Sequence, residues 1–339
     1  MSEVNSPDSS ASKSRKQPIT RLFSGTLAPL LFLILLSITL SFIAPNFATR
    51  NNIKQIAVQA AVVAILACGQ TAVIISGNID LSVGSVMAFA GIVTAQAFNI
   101  YHVSVPMGMV IACMAGLSGG LVSGIITAYG RIPSFIVTLG MMGVAQGVAG
   151  IVAHSQNIGN LPPDFSVFGF GELFGTDTRD GIPYAVVMML IAAILVHIAL
   201  SRTAWGRSLY AIGGNREAAR LSGVRLGWAV TSVFALSGLL AGFASIVNIS
   251  RSSVASKDAG VGYELDAVAA TVIGGTSLFG GQGGIPGTII GAILIYTLRN
   301  ACTLKDYGPE HQRVIIGVVV VLAVLFDRFG PGRNRKTTA

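Results

Sequence analysis

Long apolar stretches recur along almost the whole chain, and this feature most restricts what it can fold into. An α-helix rises about 1.5 Å per residue, so about 20 apolar residues cross the hydrocarbon core of a bilayer. Ten stretches approach that length, and together they predict an all-α membrane protein with about ten transmembrane helices. The predicted spans are residues 27–44, 56–77, 81–98, 105–128, 133–153, 182–200, 228–248, 265–279, 285–301 and 313–327. The eighth of them is short and ends in glycines.

The composition supports a membrane protein over a soluble one. Hydrophobic residues make up 52% of the chain, charged residues only 11%, and 41 residues are glycine. Glycine is enriched in transmembrane helices because small residues let helix backbones approach closely. The net charge of +8 comes from basic residues in short segments between apolar stretches. Orientation in the bilayer explains that charge better than a nucleic-acid partner, so we expect membrane lipid and no nucleic acid.

The distribution of charge predicts which ends face the cytoplasm. With the N-terminus inside, the inner segments hold 14 of the 22 basic residues, and the outer segments hold nine of the 14 acidic ones. Because basic residues concentrate in cytoplasmic loops, we expect both termini inside. Residues 1–26 are predicted to be a disordered cytoplasmic tail, 27–328 a transmembrane domain and 329–339 a basic cytoplasmic tail. The longest inner loop is then 201–227, and the longest outer loop is 154–181.

Two segments suggest an internal duplication. "VIISGNIDLSVGS" (73–85) and "TVIGGTSLFGGQGG" (271–284) each end one apolar stretch and begin the next with small and hydroxyl residues. Both fall on the inner side of the predicted topology, which favours a pseudo-repeated core. Paired broken-helix turns of this kind indicate a transport path. The predicted gate and path residues are Ser76, Asn78, Asp80, Ser82, Ser85, Thr276 and Ser277.

Asp80 stands out because a carboxylate at membrane depth costs about 2.5–3.5 kcal/mol on insertion scales. It should therefore cap a backbone or face a cavity. As an N-cap it would accept hydrogen bonds from the free N–H groups of the next helix. As a path residue it would meet polar solute together with Asn78. We favour the cap for Asp80 itself and the gate for the segment as a whole.

The stretch "IGGNREAARLSGV" (212–224) is a polar, helix-forming segment in an otherwise apolar chain. It predicts a short surface helix over about 215–222, with an asparagine as N-cap, a glycine as stop, and two further glycines permitting a sharp turn into it. The alternative is a helix lying on the anionic inner leaflet, which is less favoured because the segment lacks an apolar face. Contact with a partner protein is favoured instead, because the alanines at the centre of the helix allow close approach. The residues predicted to take part are Gly213, Gly214, Asn215, Arg216, Glu217, Ala218, Ala219, Arg220 and Gly223.

Motifs for other chemistry are missing from the sequence. "LSGG" (117–120) lies within an apolar stretch, where Gly116, Gly120 and Gly124 indicate helix packing. "GFGELFG" (169–175) follows no strand, and the sequence contains no GxxxxGK[ST], HExxH or GxSxG motif. The four histidines and three cysteines are scattered, so we expect no metal, no cofactor and no enzymatic activity in this chain.

Four segments together resemble the ribose/xylose/arabinose/galactose-type permeases of ATP-binding-cassette (ABC) sugar importers. They are "TAWGRSLYAIGGNREAARLSGV" (203–224), "SGNIDLSVGS" (76–85), "GYELDAVAATVIGGTSLFGG" (262–281) and "VIIGVVVVLAVLFDR" (314–328). The "EAA", three residues, "G" pattern within the first is similar to the coupling motif of importer permeases. The resemblance covers nearly the whole chain beyond the N-terminal tail.

The resemblance implies a homodimer of ten-helix subunits, similar in fold to the membrane subunit of the vitamin B12 importer. It also implies two cytoplasmic ABC ATPase domains, which would bind ATP and Mg, and a periplasmic sugar-binding protein. Residues 215–223 would be the coupling helix, and 76–85 would lie near the cytoplasmic gate. Outer-side charges at Arg50, Arg251 and Lys257 are candidates for docking the binding protein, although such charges are usually just solvated.

Three other functions compete with a monosaccharide importer. An ion-coupled sugar transporter would usually carry acidic residues deep in several spans, and only Asp80 approaches that pattern. A membrane-embedded enzyme would need a paired acid and base or a metal cluster. A sibling importer for branched-chain amino acids or nucleosides would share the fold and differ only in solute.

Overall fold

The structure, a computed structural model, describes residues 20–175 and 181–329, and almost all of its regular structure is helical. Glu172–Leu173 (β1) pairs antiparallel with Ile182–Pro183 (β2), and a 3-10 turn, Pro163–Ser166, precedes α6. The helices are α1 Thr20–Ile43, α2 Arg50–Ile75, α3 Val83–Tyr101, α4 Val105–Gly130, α5 Ser134–Val152, α6 Val167–Phe170, α7 Tyr184–Arg202, α8 Ala204–Gly214, α9 Arg216–Leu221, α10 Leu226–Ser252, α11 Tyr263–Ile273, α12 Ile285–Leu304 and α13 Pro309–Phe329.

Eight helices among the described residues are long and apolar enough to cross a membrane, namely α1, α2, α3, α4, α5, α7, α10 and α12. The predicted all-α, multi-pass architecture is therefore confirmed. The first helix begins at Thr20, inside the predicted tail of residues 1–26. The rest of that tail, residues 1–19, and residues 330–339 of the predicted C-terminal tail lie outside the described residues. α13 has 21 residues and covers the tenth predicted stretch, but it is not among the eight.

The eighth predicted span, 265–279, is wrong in its extent. α11 has 11 residues and measures about 16 Å, roughly half of a bilayer core. It ends because Gly275 adopts a φ of +92°, a left-handed conformation that glycine accepts without steric cost. An ion pair between a half-buried arginine and a buried aspartate holds this half-helix to α12, with Arg299 Nη2 lying 2.7 Å from Asp266 Oδ2.

α2 forms the centre of the bundle. It packs against α7, α10, α11 and α12, and 89% of its apolar window is buried. A helix segment enclosed on all sides should be apolar on all sides, and residues 60–75 of α2, which are all buried, include only Gln70 and Thr71 as polar side chains.

Glycines bring α4 and α10 into close contact. A Cβ at Gly116 would overlap the carbonyl oxygen of Gly238, and one at Gly120 would overlap that of Phe234. On the other side, a Cβ at Gly242 would overlap the carbonyl oxygen of Ala112. The "LSGG" sequence is therefore part of a helix-packing surface, as its glycine spacing predicts.

Candidate coupling site and inner turns

The segment 201–227, which is predicted to face the inner side, contains two helices, α8 and α9, where a loop with one short helix was predicted. α8 begins after Thr203, whose Oγ1 accepts a hydrogen bond from the Gly206 amide at 3.1 Å. It buries Gly206, Leu209 and Ile212 against the membrane helices and leaves Arg207 exposed. The signal for α8 was present in the spacing of Leu209 and Ile212, which puts two apolar residues on one helix face.

α9 has the boundaries that the sequence predicts. Asn215 Oδ1 accepts a hydrogen bond from the Ala218 amide at 2.9 Å, so asparagine caps the helix. After the helix, Gly223 adopts a φ of +83°, and the Val224 amide bonds the Ala219 carbonyl at 3.1 Å. This is the glycine-terminated end that the pattern predicted.

Gly213 and Gly214 do not form the sharp turn into α9 that the sequence analysis predicts. They are the last two residues of α8, and the chain changes direction only at Asn215, where φ is −158° and ψ is 104°. Gly213 packs so closely that a Cβ there would overlap the Ile75 carbonyl oxygen and the Gly281 amide nitrogen. A Cβ at Gly214 would meet no described atom within 4 Å. The Gly214 backbone also lies near Gly281, but its Cβ position faces open space, so only Gly213 has no room for a side chain.

The exposed face of α9 is accessible for contact with another protein. Its exposed side chains include Arg216, Glu217 and Ala218, and Ala219 alone among its residues is buried. Arg220 pairs with Glu217, with Nη2 lying 2.5 Å from Oε1. Sequence reasoning missed Leu221, the residue after Arg220. Its side chain is 75% exposed, so this face of α9 also offers an apolar group.

The Glu217–Arg220 pair fixes the charge state of this face. Hydrogen bonding from the guanidinium lowers the pKa of Glu217 below its ordinary value of 4.5. The same contact raises the pKa of Arg220. Both residues are therefore ionised at neutral pH.

The two turns that are predicted to face the inner side, which we call the inner turns, have matching backbone geometry. In the first turn (residues 76–82), the Gly77 amide bonds the Ile74 carbonyl at 2.9 Å, and the Asn78 amide bonds the Val73 carbonyl at 3.1 Å. In the second turn (residues 274–284), the amides at 275 and 276 bond the carbonyls at 272 and 271, at 2.9 and 3.1 Å. Both are Schellman-type helix ends with a left-handed glycine, so the local similarity seen in the sequence has a structural counterpart.

The two turns also touch each other. The Gly281 amide donates to the Ile75 carbonyl at 2.9 Å. Deeper in the bundle, Thr71 Oγ1 lies 2.7 Å from Thr288 Oγ1 and 3.4 Å from Thr271 Oγ1. Thr71 of α2 is therefore within hydrogen-bonding distance of buried threonine hydroxyls from both α11 and α12.

Asp80 lies deep in the protein because the first turn rises back into the bundle. Its Oδ1 accepts from the Ser82 amide at 2.9 Å and from Ser82 Oγ at 2.6 Å, and its Oδ2 accepts from Ser237 Oγ at 2.8 Å. Gln70, oriented to satisfy its own hydrogen bonds, contacts the Asp80 backbone at 3.2 and 3.3 Å. Ser237 is near the middle of α10, so α3 begins within the bundle and not at its inner end.

The capping expectation for Asp80 needs one correction. Its carboxylate bonds the amide of Ser82, the residue before α3, and does not cap α3 itself. Asp80 therefore stabilises the segment that leads into the helix. Like Asp80, all the predicted gate and path residues are buried inside this single chain, namely Ser76, Asn78, Ser82, Ser85, Thr276 and Ser277. Hydrogen bonds join Asn78 to Ser76, and Ser82 to Asp80, within the first segment. Thr276 and Ser277 lie in the second turn.

Comparison with known proteins identifies the family. A family model described as the permease component of branched-chain amino acid transport systems matches residues 52–324. The chain belongs to this permease family. It is 40% identical over 299 residues to the ribose import permease protein RbsC of Escherichia coli K12, covering 88% of this chain and 92% of that protein. The permease resemblance carried by the four sequence segments is thereby confirmed, and the chain is a transport component and not an enzyme.

Two further relatives extend the similarity. The ribose import permease protein of Bacillus subtilis is 36% identical over 302 residues, covering 89% of this permease and 92% of the relative. The L-arabinose ABC transporter permease protein of Azospirillum brasilense is 33% identical over 331 residues, covering 97% and 95%. These alignments include α8, α9 and both inner turns.

The charged residues predicted on the outer side of the permease have different surroundings. Arg50 is the exposed first residue of α2. Arg251 is half-buried near the end of α10, where its backbone packs against Gly169. Lys257 Nζ lies 3.1 Å from Asp258 Oδ2. This contact and a hydrogen bond from Gln146 lower the pKa of Asp258.

An open groove of about 660 Å³ lies at the end of α5 beside Lys257. Its lining combines small, apolar and polar side chains from α5, the segment after it and Lys257. The lining residues are Gly143, Gln146, Gly147, Gly150, Ile151, His154, Ser155 and Lys257.

Proposed function

We propose that this permease is the membrane subunit of an ATP-driven, binding-protein-dependent importer that moves a monosaccharide across the bacterial inner membrane. The observation that carries the proposal is α9, a capped and exposed helix in a chain related to ribose and arabinose permeases. Its "EAA" and Gly223 match the coupling motif. A cytoplasmic ABC ATPase, which binds ATP and Mg, is the proposed partner for α9.

The mechanism follows from the cost of moving a sugar through hydrocarbon. Its hydroxyl groups would lose their hydrogen bonds there, at several kcal/mol each. A protein path that opens to one side at a time avoids that cost, and ATP-driven closure of the ATPase pair supplies the motion. Every residue of α9 except Ala219 is exposed, so a partner can bind this helix without unfolding the membrane domain. A periplasmic sugar-binding protein would deliver the solute to the outer end.

A second copy of the permease is proposed to cover the glycine face of α5. A Cβ at Gly140, Gly143 or Gly147 would meet no described atom within 4 Å. By contrast, Gly116, Gly120 and Gly124 of α4 are already packed against α10. Glycine faces in membranes favour close helix association. The translocation path would then run between the two copies, with the groove beside Lys257 at its outer mouth. In this arrangement Arg50, Arg251 and Lys257 would surround the binding-protein docking area.

We further propose ten crossings with both termini in the cytoplasm, in a fold similar to that of the vitamin B12 importer subunit. α13 and the half-helix α11 would complete the eight longer helices. The support for α11 is that Gly260, just before it, packs against the Gly84 backbone, so the connecting segment enters the bundle. At the inner boundary, Tyr129 and Trp228 are 67% and 57% exposed, as expected for aromatic residues in headgroups.

Reconstituted transport tests the proposed function. The full chain would be placed in proteoliposomes with its ABC ATPase and binding protein, and uptake of radiolabelled ribose, arabinose, allose and leucine measured with and without ATP. We expect ATP-dependent uptake of one monosaccharide. Uptake driven by a proton or sodium gradient without the ATPase would favour a secondary transporter, and ATP-dependent uptake of leucine alone would favour an amino-acid importer.

A further inference from the structure

α8 ends against both inner turns at a single point where four glycines meet. We call this point the glycine junction: Gly77 from the first turn, Gly213 from α8, and Gly280 and Gly281 from the second turn. A Cβ at Gly280 would lie 2.9 Å from the Gly213 Cα and 3.1 Å from the Gly77 Cα. Three separate segments of the chain therefore meet through backbone atoms alone.

Hydrogen bonds lock the same three segments together. The Gly281 amide donates to the Ile75 carbonyl at 2.9 Å, which joins the second turn to the end of α2, directly before the first turn. Tyr210 Oη donates to the Gly283 carbonyl at 2.8 Å, which joins α8 to the second turn. Side chains can change rotamer to absorb a displacement, but packed and hydrogen-bonded backbones cannot, so a shift of α8 must shift both turns.

α9 is in turn firmly attached to α8. The Asn215 amide bonds the Ala211 carbonyl of α8 at 3.0 Å, and the Asn215 carbonyl accepts from the Ala219 amide of α9 at 3.0 Å. Its side chain caps α9 as well. One residue therefore belongs to the hydrogen bonding of both helices, which makes them a single mechanical unit.

We propose that Gly213 is a positioning residue that transmits movement of α9 to both inner turns through the glycine junction. The proposal rests on the proposed ATP-driven function and adds to it the route by which force reaches the membrane helices. From the junction, the route continues into the ends of α2, α11 and α12, whose threonines contact one another. Both turns would therefore move together and not in sequence.

The test compares two adjacent glycines in the full complex of permease, ATPase and binding protein. Gly213→Ala places a methyl group into the junction, whereas Gly214→Ala meets open space. We expect Gly213→Ala to retain ATPase binding and basal hydrolysis but to lose binding-protein stimulation by about 5- to 150-fold, the usual range of coupling between sites. Gly214→Ala should behave like the wild type.

Several outcomes would overturn the proposal. Normal stimulation in Gly213→Ala would show that the junction does not transmit movement, and loss of ATPase binding would place Gly213 in the docking surface instead. Wild-type complex without any ATP-dependent uptake would instead refute the proposed function. If Gly213→Ala fails to insert, Tyr210→Phe decides the question, because it removes only the hydrogen bond to Gly283. Reduced stimulation with normal assembly is expected for that variant, and full stimulation would count against the junction.

A distance measurement provides a readout that does not depend on activity. Spin labels are attached to the variants Ala211→Cys on α8 and Phe279→Cys in the second turn, in a Cys113→Ser background. Both labelled positions are exposed. We expect the distance between these labels to stay unchanged between the nucleotide-free and ATP-bound complexes. A change in that distance would show that α8 and the turn move separately.

Discussion

Ser237 Oγ donates a hydrogen bond to Asp80 Oδ2 across 2.8 Å, linking the first inner turn to the middle of α10. Both residues are buried, with exposed fractions of 1% and 2%. The bond explains how a carboxylate is tolerated at this depth, since its other oxygen is satisfied by Ser82. It also identifies Asp80 as a residue that stabilises the fold of the turn.

Replacing Asp80 should therefore reduce stability more than it changes solute choice. Asp80→Ala leaves the Ser82 amide and two buried hydroxyls without their partner, and an unsatisfied buried group costs about 1–3 kcal/mol. Ser237→Ala removes one of these bonds and should cost less. Thermal unfolding in detergent measures both effects. A variant with normal stability and an altered preference among sugars would instead place Asp80 in contact with the solute.

The contact between α4 and α10 should be intolerant of a single methyl group. Gly120→Ala pushes a Cβ into the Phe234 carbonyl, and overpacking of this kind costs about 1–3 kcal/mol. Gly130→Ala on the same helix is the matched control, since its nearest neighbour would be 3.6 Å away. The yield of folded protein and its melting temperature should fall for the first variant only. Equal melting temperatures would mean that the two helices can separate without cost.

Leu221 should contribute to binding of the ATPase. An exposed leucine beside a charged face gives a partner an apolar surface to bury, and full burial of a leucine side chain contributes about 1.5–3 kcal/mol. Leu221→Ser should weaken ATPase binding by about tenfold. Ala211→Ser, an exposed change on α8, is the control. Affinity is measured with detergent-solubilised permease and purified ATPase, and unchanged affinity would place the contact elsewhere on α9.

The charge of Glu217 should not vary with pH in the working range. Its pKa is lowered from 4.5, so its ion pair with Arg220 is complete above that value and is lost only as the pH falls below it. Glu217→Gln should reduce stimulated ATP hydrolysis by the same factor at about pH 6 and about pH 8, because the wild-type side chain is ionised at both. A wild-type to variant ratio that approaches one at the lower pH would contradict the assignment.

Gly223 should be needed for coupling but not for membrane insertion. Its φ of +83° is strained for any residue with a branched side chain, so Gly223→Val should disturb the end of α9. We expect normal amounts of protein in the membrane and loss of stimulated hydrolysis. Gly214→Val is the control for added bulk on the exposed inner surface. Normal stimulation in Gly223→Val would show that the end of α9 does not have to be held in place.

The sequence alone determined the features that depend on neighbouring residues. Apolar stretches gave the membrane class, and Asn215 and Gly223 gave both ends of α9, because capping involves atoms within a few residues of each other. The similar helix ends before Gly77 and Gly275 were visible for the same reason. Even the α4 glycines could be interpreted, since their four-residue spacing places them on one face of a helix.

Only the tertiary structure decided what those elements touch. Nothing local distinguishes Gly213 from Gly214, yet only a Cβ at Gly213 would overlap Ile75 and Gly281, which are both more than 60 residues away in the chain. The depth of Asp80 depends on the chain rising back towards Ser237, and the shortness of α11 depends on Gly275 and on its ion pair with α12. Such contacts join residues far apart in sequence, so their geometry is fixed only when the helices pack together.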